Sequence, residues 1–381
     1  MKFPSVEREA RLLFNLTEMV GPVRFARLVD RFGSAVGALG AGSKAWRDVE
    51  GFWEKAGDYF LDVERALPRL EEEMANVARA GARVVCAVDD DYPEAFRRLR
   101  DAPLVLYVRG DLAPMDNLGI ALVGSRRPSN YGMAVAERLA RELAQAGVTV
   151  VSGLARGVDG AAHAAALAAG GRTVGILGSG FFRFYPAEHR TLADRMAKSG
   201  AVVTEFPLSA APDATHFPRR NRLIAALSLG VVVVEALERS GALITAGLAA
   251  DQGKDVFAVP GSIFSPLSRG PHRLIKNGAK PVECATDILE EIGAFREWLN
   301  KGPGARSLAS SSPAGAVSVV GQKILAGLSL EPAGIDGVAR GAGLTAAEVA
   351  RELLVLELAG LVRAVPGKQY VRSEKSLTTV G

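Results

Sequence analysis

The sequence predicts an α/β fold: a doubly wound, mostly parallel sheet, with a small helical domain before it and a winged-helix domain after it. Three observations carry this. From Gly119 onward, short apolar runs alternate with helical segments, the pattern of strands joined by helical crossovers. The runs are apolar throughout rather than at every second position, which fits strands buried on both faces. The chain ends in three helical segments and a short hairpin pattern, the order of a winged helix.

At 381 residues the chain accommodates about two or three domains. Residues 1–80 read as a helical domain. Leu12, Leu13 and Leu16 recur at helical spacing, as do Phe25, Leu28, Val29 and Phe32. Between these sets, Val20-Gly21-Pro22-Val23 resembles half of a helix-hairpin-helix, without the first glycine of that motif's usual pair. A plain helical turn in a packing domain is the alternative. Residues 62–80 form a longer helix, with Glu71, Glu72 and Glu73 on its wet face. Residues 83–88 and 104–108 are strands on either side of the turn Asp89-Asp90-Asp91-Tyr92-Pro93. Consecutive aspartates do not converge on one ion, so these read as a solvated turn.

Residues 81–299 make the sheet domain. Its strands are expected at 120–123, 148–151, 173–177, 201–204, 231–235 and 256–259, with helices at 134–146, 160–169 and 189–198. Residues 300–316 are rich in Gly, Ser, Ala and Pro, and read as a flexible linker. Residues 317–373 are the winged helix. Its helices are expected at 319–328, 335–340 and 345–359, the last with Thr345 as N-cap. Residues 361–365 and 369–371 then flank Pro366-Gly367-Lys368 as a hairpin. The third helix carries Glu348, Glu352 and Glu357 against Arg351, so a protein contact competes with duplex DNA as its role.

The formal net charge of +4 is unevenly placed. Residues 1–118 carry −3, residues 119–300 carry +4 and residues 301–381 carry +3. The middle and the end are therefore the candidate polyanion binders. The two cysteines, Cys86 and Cys284, form no CxxC or Cys/His cluster, so no metal is expected. The acidic N-terminus does not suit a signal peptide, and no apolar run is long enough to span a bilayer. A cytoplasmic, reduced protein is the expectation.

Parallel sheets bind ligands at the C-terminal ends of their strands. Here those ends are Gly124-Ser125-Arg126-Arg127, the segment Gly153-Leu154-Ala155-Arg156-Gly157, Gly178-Ser179-Gly180, and the 235–245 segment with Ser240-Gly241. Glycines let backbone N–H groups approach a phosphate, and Ser and Arg add donors. None matches GxGxxG or GxxxxGK[ST], so no dinucleotide or other cofactor is expected. The stretch His216-Phe217-Pro218-Arg219-Arg220-Asn221-Arg222 opens an apolar helical run. A helix start attracts anions, arginine forks fit phosphate, and Phe217 offers a face for a base. The alternative is a solvated basic helix start with Phe217 in the core.

Catalytic groupings are thin. Asp159 and His163 lie four apart on a helix and could face each other. Glu205 and Glu235 end two strands at the ligand edge and are the plausible acid/base pair. No catalytic residue is assigned.

Five ordered runs, GSRRPSNYG, SGLARGVDGAAHAAAL, HFPRRNRLIAALS, SGALITAGLAADQGKDVFAVPG and HRLIKNGA, resemble the DNA-processing protein A (DprA, or Smf) family. The resemblance covers about residues 82–292. It implies an extended Rossmann-like core that binds single-stranded DNA without catalysis. It also implies a homodimer that helps load the RecA recombinase during natural transformation, and an N-terminal domain of the sterile-alpha-motif type. By motif, Gly124, Ser125 and Arg126 would form a phosphate pocket, Phe217 would meet a base and Arg220 the DNA backbone. The choice among Arg219, Arg220 and Arg222 stays open. Two rival functions remain. One is a nucleoside-monophosphate phosphoribohydrolase of the same superfamily, whose PGGxGTxxE loop this chain lacks. The other is a winged-helix transcription regulator.

Overall fold

The computed structural model describes residues 3–292, 319–328, 333–345, 349, 352, 353, 356, 361–365 and 369–372. They fall into two units, Met1–Asn300 and Lys301–Gly381.

The first unit opens with four helices: α1 (Glu7–Asn15), α2 (Pro22–Phe32), α3 (Ala35–Trp46) and α4 (Ala56–Arg79). Pro22 takes the first helical position of α2, where its missing N–H costs no hydrogen bond. Gly33 closes α2 at φ 78°, a left-handed cap that favours glycine. The helices pack around aromatic rings. Phe14 lies 5.1 Å from Phe25 and 5.9 Å from Trp46, centroid to centroid. The same core continues into Val105, Tyr107 and Val202 of the sheet. Glu73 corrects the expected wet face of α4. It is buried, and its carboxylate accepts the Leu208 N–H at 2.7 Å. Asn15 Nδ2 likewise donates to the Glu205 carbonyl at 3.1 Å. The N-terminal helices thus hold the 205–208 segment of the sheet region.

Nine strands form one sheet. They are β1 (Arg83–Cys86), β2 (Val105–Gly110), β3 (Gly119–Val123), β4 (Val150–Ser152), β5 (Thr173–Ile176), β6 (Ala201–Thr204), β7 (Ser228–Val233), β8 (Asp255–Ala258) and β9 (Lys280–Pro281). Between them run α5 (Glu94–Arg97), α6 (Asn130–Gln145), α7 (Val158–Ala168), α8 (Arg190–Met196), α9 (His216–Ala226), α10 (Gly241–Asp251) and α11 (Arg269–Lys276), and α12 (Ala285–Glu291) follows. The strand order is β1-β2-β6-β5-β4-β3-β7-β8-β9. β1 and β2 pair antiparallel, as do β2 and β6, and every other pairing is parallel. The result is a Rossmann-like, doubly wound sheet with an antiparallel edge.

Strand side chains alternate between two covered faces. Ile120 and Leu122 pack with α6, α7 and α12, whereas Ala121 and Val123 pack with α9 and α10. Both faces are dry, which is why the strands read as unbroken apolar runs. The strand expected at 231–235 sits at Ser228–Val233, so Glu235 lies in the loop beyond it. β3 leads leftward through β4, β5 and β6, and β7 leads rightward through β8 and β9. The winding reverses between β3 and β7, the switch point at which such sheets open a crevice.

The second unit holds α13 (Val319–Gly327), β10 (Ala333–Gly334), α14 (Ile335–Ala342), β11 (Val362–Val365) and β12 (Gln369–Arg372). Its sheet runs β10-β12-β11, with antiparallel pairs. Ile324, Leu328, Val338, Val349, Leu353, Leu356 and Val362 form its core. This is a winged-helix domain. Val349, Glu352, Leu353 and Leu356 are helical, at the place expected for the third helix. The remainder of that helix, the 300–316 linker and the 366–368 turn lie outside the described residues.

Candidate nucleic-acid interface

A cleft of about 800 Å³ opens at the switch point. The loop after β3 supplies Gly124, Ser125, Arg126 and Arg127, and the loop after β7 supplies Leu237 and Arg239. The first turn of α10 adds Ser240 and Gly241, and the first turn of α9 adds Phe217 and Pro218. Four arginines line the cleft against two aspartates, Asp159 and Asp213. The field inside therefore favours an anion.

The rim is open. Arg126 and Arg127 are exposed, and the Arg126 guanidinium lies 5.0 Å from the centre of the Phe217 ring. Ser125 Oγ accepts the Arg127 N–H at 3.1 Å and shapes the turn. Ser240 caps α10 by accepting the Ala242 N–H at 3.3 Å, and Gly241 is exposed beside it. Pro218 sits in the first turn of α9, whose N-cap, Thr215, makes no side-chain cap. Two helix starts thus face the cleft, each with the positive end of its dipole.

The floor is closed. Arg220 was expected to meet the DNA backbone, yet it is 4% exposed. Its Nη1 donates to the carbonyls of Gly153 and Ile176, and its Nε to Asn221 Oδ1. Burial, opposed by Asp159 and aided by Arg126, lowers the Arg220 pKa to about 10. Arg220 thus stays charged and ties the ends of β4 and β5 to α9. Asn221 Nδ2 donates in turn to the Gly241 carbonyl at 3.3 Å, joining α9 to α10.

Gly153 and Gly157 serve packing in this state. A Cβ on Gly153 would lie 2.0 Å from Arg220 Nη1. Gly157 has φ 76°, and its Cβ would lie 2.3 Å from the Ser125 carbonyl. The loop after β4 thereby docks on the loop after β3. Asp159 holds that loop by accepting the N–H groups of Gly153 and Ala155 at 3.1 and 3.4 Å. Burial raises its pKa, opposed by Arg220.

Arg219 and Arg222 do not line the cleft. Arg222 is buried in an ion pair with Glu205 at 2.5 Å and another with Asp101 at 3.1 Å. Arg219 is half exposed, 3.6 Å from the Glu205 carboxylate and 5.2 Å from the centre of the Phe206 ring. Arg156 is exposed outside the cleft lining and pairs with Glu188.

The expected acid/base pairs do not converge. Glu205 follows β6 and Glu235 follows β7, four strand spacings apart. That is about 19 Å. Glu235 instead accepts the Ser129 N–H at 2.8 Å and the Ser129 hydroxyl at 2.6 Å, fixing the start of α6. His163 bonds to Thr173 Oγ1 at 2.6 Å, apart from Asp159. The Thr173 hydroxyl donates to the Val150 carbonyl, so His163 Nδ1 carries the proton between them. Burial, with His189 and Arg220 nearby, pushes the His163 pKa down to about 3.

Residues 83–293 match the model of the family described as DNA recombination-mediator protein A. The chain belongs to that family. Residues 309–368 match the DprA winged helix domain. Protein Smf of Escherichia coli is 41% identical over 308 residues, covering 81% of this chain and 82% of that protein. DNA processing protein DprA of Bacillus subtilis is 42% identical over 239 residues, covering 62% and 80%. The X-ray structure of DprA from Streptococcus pneumoniae matches with TM-score 0.68 at 32% identity, over 76% of this chain and 99% of that one. DNA processing protein A from Helicobacter pylori, described for its unique single-stranded DNA binding mode, matches with TM-score 0.50 at 30% identity, over 57% and 98%.

Sequence reasoning missed three contributors. Lys254 donates to the carbonyls of Ala225 at 2.8 Å and Ser228 at 2.6 Å, and to that of Ala226, closing the C-terminus of α9. Its burial lowers its pKa to about 8. Glu73, described above, anchors the segment that leads to the cleft wall. Tyr185 lines the cleft beside Phe217. Its signal was present in Phe181-Phe182-Arg183-Phe184-Tyr185, where aromatic and basic residues interleave.

Proposed function

We propose that this protein binds single-stranded DNA in the switch-point cleft and acts as a cytoplasmic recombination mediator, not as an enzyme. One observation supports this most: exposed Arg126 stacked on Phe217 at the mouth of an arginine-rich cleft. A charge for the phosphate and a ring for the base are the two halves of a single-strand reader. The reading extends through the family to protection of the strand, loading of RecA in transformation, and a homodimer. The buried, separately partnered Glu205, Glu235, Asp159 and His163 favour a binder over a hydrolase.

The test is a titration of one labelled oligonucleotide, single-stranded and as duplex, at several salt concentrations. Tighter single-strand binding is expected, with log affinity falling linearly against log salt. Equal or tighter duplex binding would remove this assignment. Release of free base from nucleoside monophosphates above the buffer control would favour the hydrolase. Faster RecA assembly on single strands, and the mass in solution, test the loading role and the dimer.

A further inference from the structure

At the cleft's mouth, side chains from different loops form a chain of contacts that ends on Arg156, just outside the cleft lining. Arg126, after β3, lies 5.0 Å from the Phe217 ring centre. Phe217 and Tyr185 have centroids 6.0 Å apart with planes tilted by 58°. Arg156, after β4, lies 5.7 Å from the Tyr185 ring centre. Guanidinium, ring, ring and guanidinium thus form a chain of contacts beyond the C-terminal ends of β3, β4 and β5.

Tyr185 belongs to an aromatic run whose other members lie outside the cleft lining. Phe181 and Phe184 are buried at 5% and 6% exposure, and Phe182, 37% exposed, lies under Arg79 of α4. Tyr185 keeps 36% of its surface exposed and lines the cleft. A lone exposed ring needs no explanation. A ring in register with Phe217, beside an exposed arginine, repeats the arrangement that makes Phe217 a base platform. With centroids only 6.0 Å apart, the two rings leave too little room for a base between them, so each offers a platform of its own.

Arg156 is held by Glu188, whose Oε2 lies 3.2 Å from Nη2. Both side chains are about half exposed. Such a surface pair contributes little and exchanges easily. A phosphate presents the same paired acceptors as the carboxylate. Glu188 therefore occupies the place on Arg156 that a phosphate would take.

We propose that Tyr185 and Arg156 form a second nucleotide subsite one step beyond Phe217, where a base stacks on Tyr185 and its phosphate displaces Glu188 from Arg156. This rests on the reading of the cleft as a single-strand site.

The experiment uses the full chain with Tyr185→Ala, Tyr185→Phe, Glu188→Gln and, as a control on the cleft itself, Arg126→Ala. Binding is measured with single-stranded oligonucleotides of increasing length. Each carries one 2-aminopurine whose fluorescence reports stacking. Tyr185→Ala is expected to lose about tenfold in affinity for oligonucleotides long enough to pass Phe217. It should bind the shortest oligonucleotides as wild type does, and should lose the quenching of the 2-aminopurine placed at the second step. Tyr185→Phe should keep both affinity and quenching. Glu188→Gln should bind a few-fold tighter, because the phosphate no longer competes with a carboxylate.

Wild-type affinity of Tyr185→Ala at every length, or loss in Tyr185→Phe equal to that in Tyr185→Ala, would overturn the subsite. So would weaker binding by Glu188→Gln. If Arg126→Ala weakens binding while the others behave as wild type, the subsite fails and the cleft stands. If Arg126→Ala is also silent, the cleft reading itself fails.

Discussion

Arg126 and Arg220 lie at two depths of one cleft. Arg126, on the rim, is exposed and rests on a ring. Arg220, in the floor, is buried, shares Nη1 between two carbonyls and faces Asp159. The residue type is the same and the work differs. A buried charge needs its partners for the fold to stand, whereas an exposed one can trade water for a ligand. Charge in the cleft is thus divided between a floor that holds its shape and an exposed rim. Of the other arginines, exposed Arg127 and Arg239 line the cleft, and Arg222 is buried.

Acid should attack the interior behind the floor first, at buried His163. His163 has a folded pKa of about 3, against 6.5 when unfolded. Between those values the unfolded chain binds a proton that the folded one refuses. Stability from this group is therefore complete above pH 6.5 and is lost as pH falls toward 3. The full loss is on the order of 5 kcal/mol, spread over that window. Urea midpoints measured across it should fall, and His163→Asn should flatten the dependence. An unchanged slope in that variant would show that His163 does not carry the acid sensitivity.

Next in size is Arg220→Ala. It strands two buried carbonyls and leaves Asp159 without its counter-charge. A loss of about 3–5 kcal/mol in unfolding free energy is expected. This departs from treating Arg220 as a DNA contact, which would leave the fold untouched. A variant as stable as wild type but weak in DNA binding would restore that earlier view and dissolve the distinction between rim and floor.

The smallest effect concerns the winged helix. The rim lies wholly within Met1–Asn300, a compact unit of its own. A chain truncated after Asn300 should fold, and its single-strand affinity should change by less than about 1 kcal/mol, roughly fivefold. A hundredfold loss from a folded truncated chain would make the winged helix a primary site.

The fold was legible because burial on both faces writes itself into the strands. Ala201–Thr204 lies where the sequence places it, and the neighbouring core strands shift by a few residues at most. β9 was not legible, since a two-residue strand has no pattern to read. The cleft at the strand ends was legible from its glycines and arginines. The division of the arginines was not. Arg219, Arg220 and Arg222 are near neighbours in sequence, yet helical rotation sends them to a half-exposed spot, the cleft floor and a buried pair with Glu205. Only the carbonyls and carboxylates that the fold brings around each one decide its role. Glu73 failed for the same reason: its partner, Leu208, is remote in sequence.

We propose that the rim binds and the floor holds. The salt dependence of single-strand binding in wild type and Arg126→Ala, with unfolding free energy measured on the same samples, separates the two roles. Expected are unchanged stability, an affinity loss of about 1–3 kcal/mol, and a shallower salt slope with about one fewer counterion released. Wild-type affinity and slope in a folded Arg126→Ala protein would contradict it.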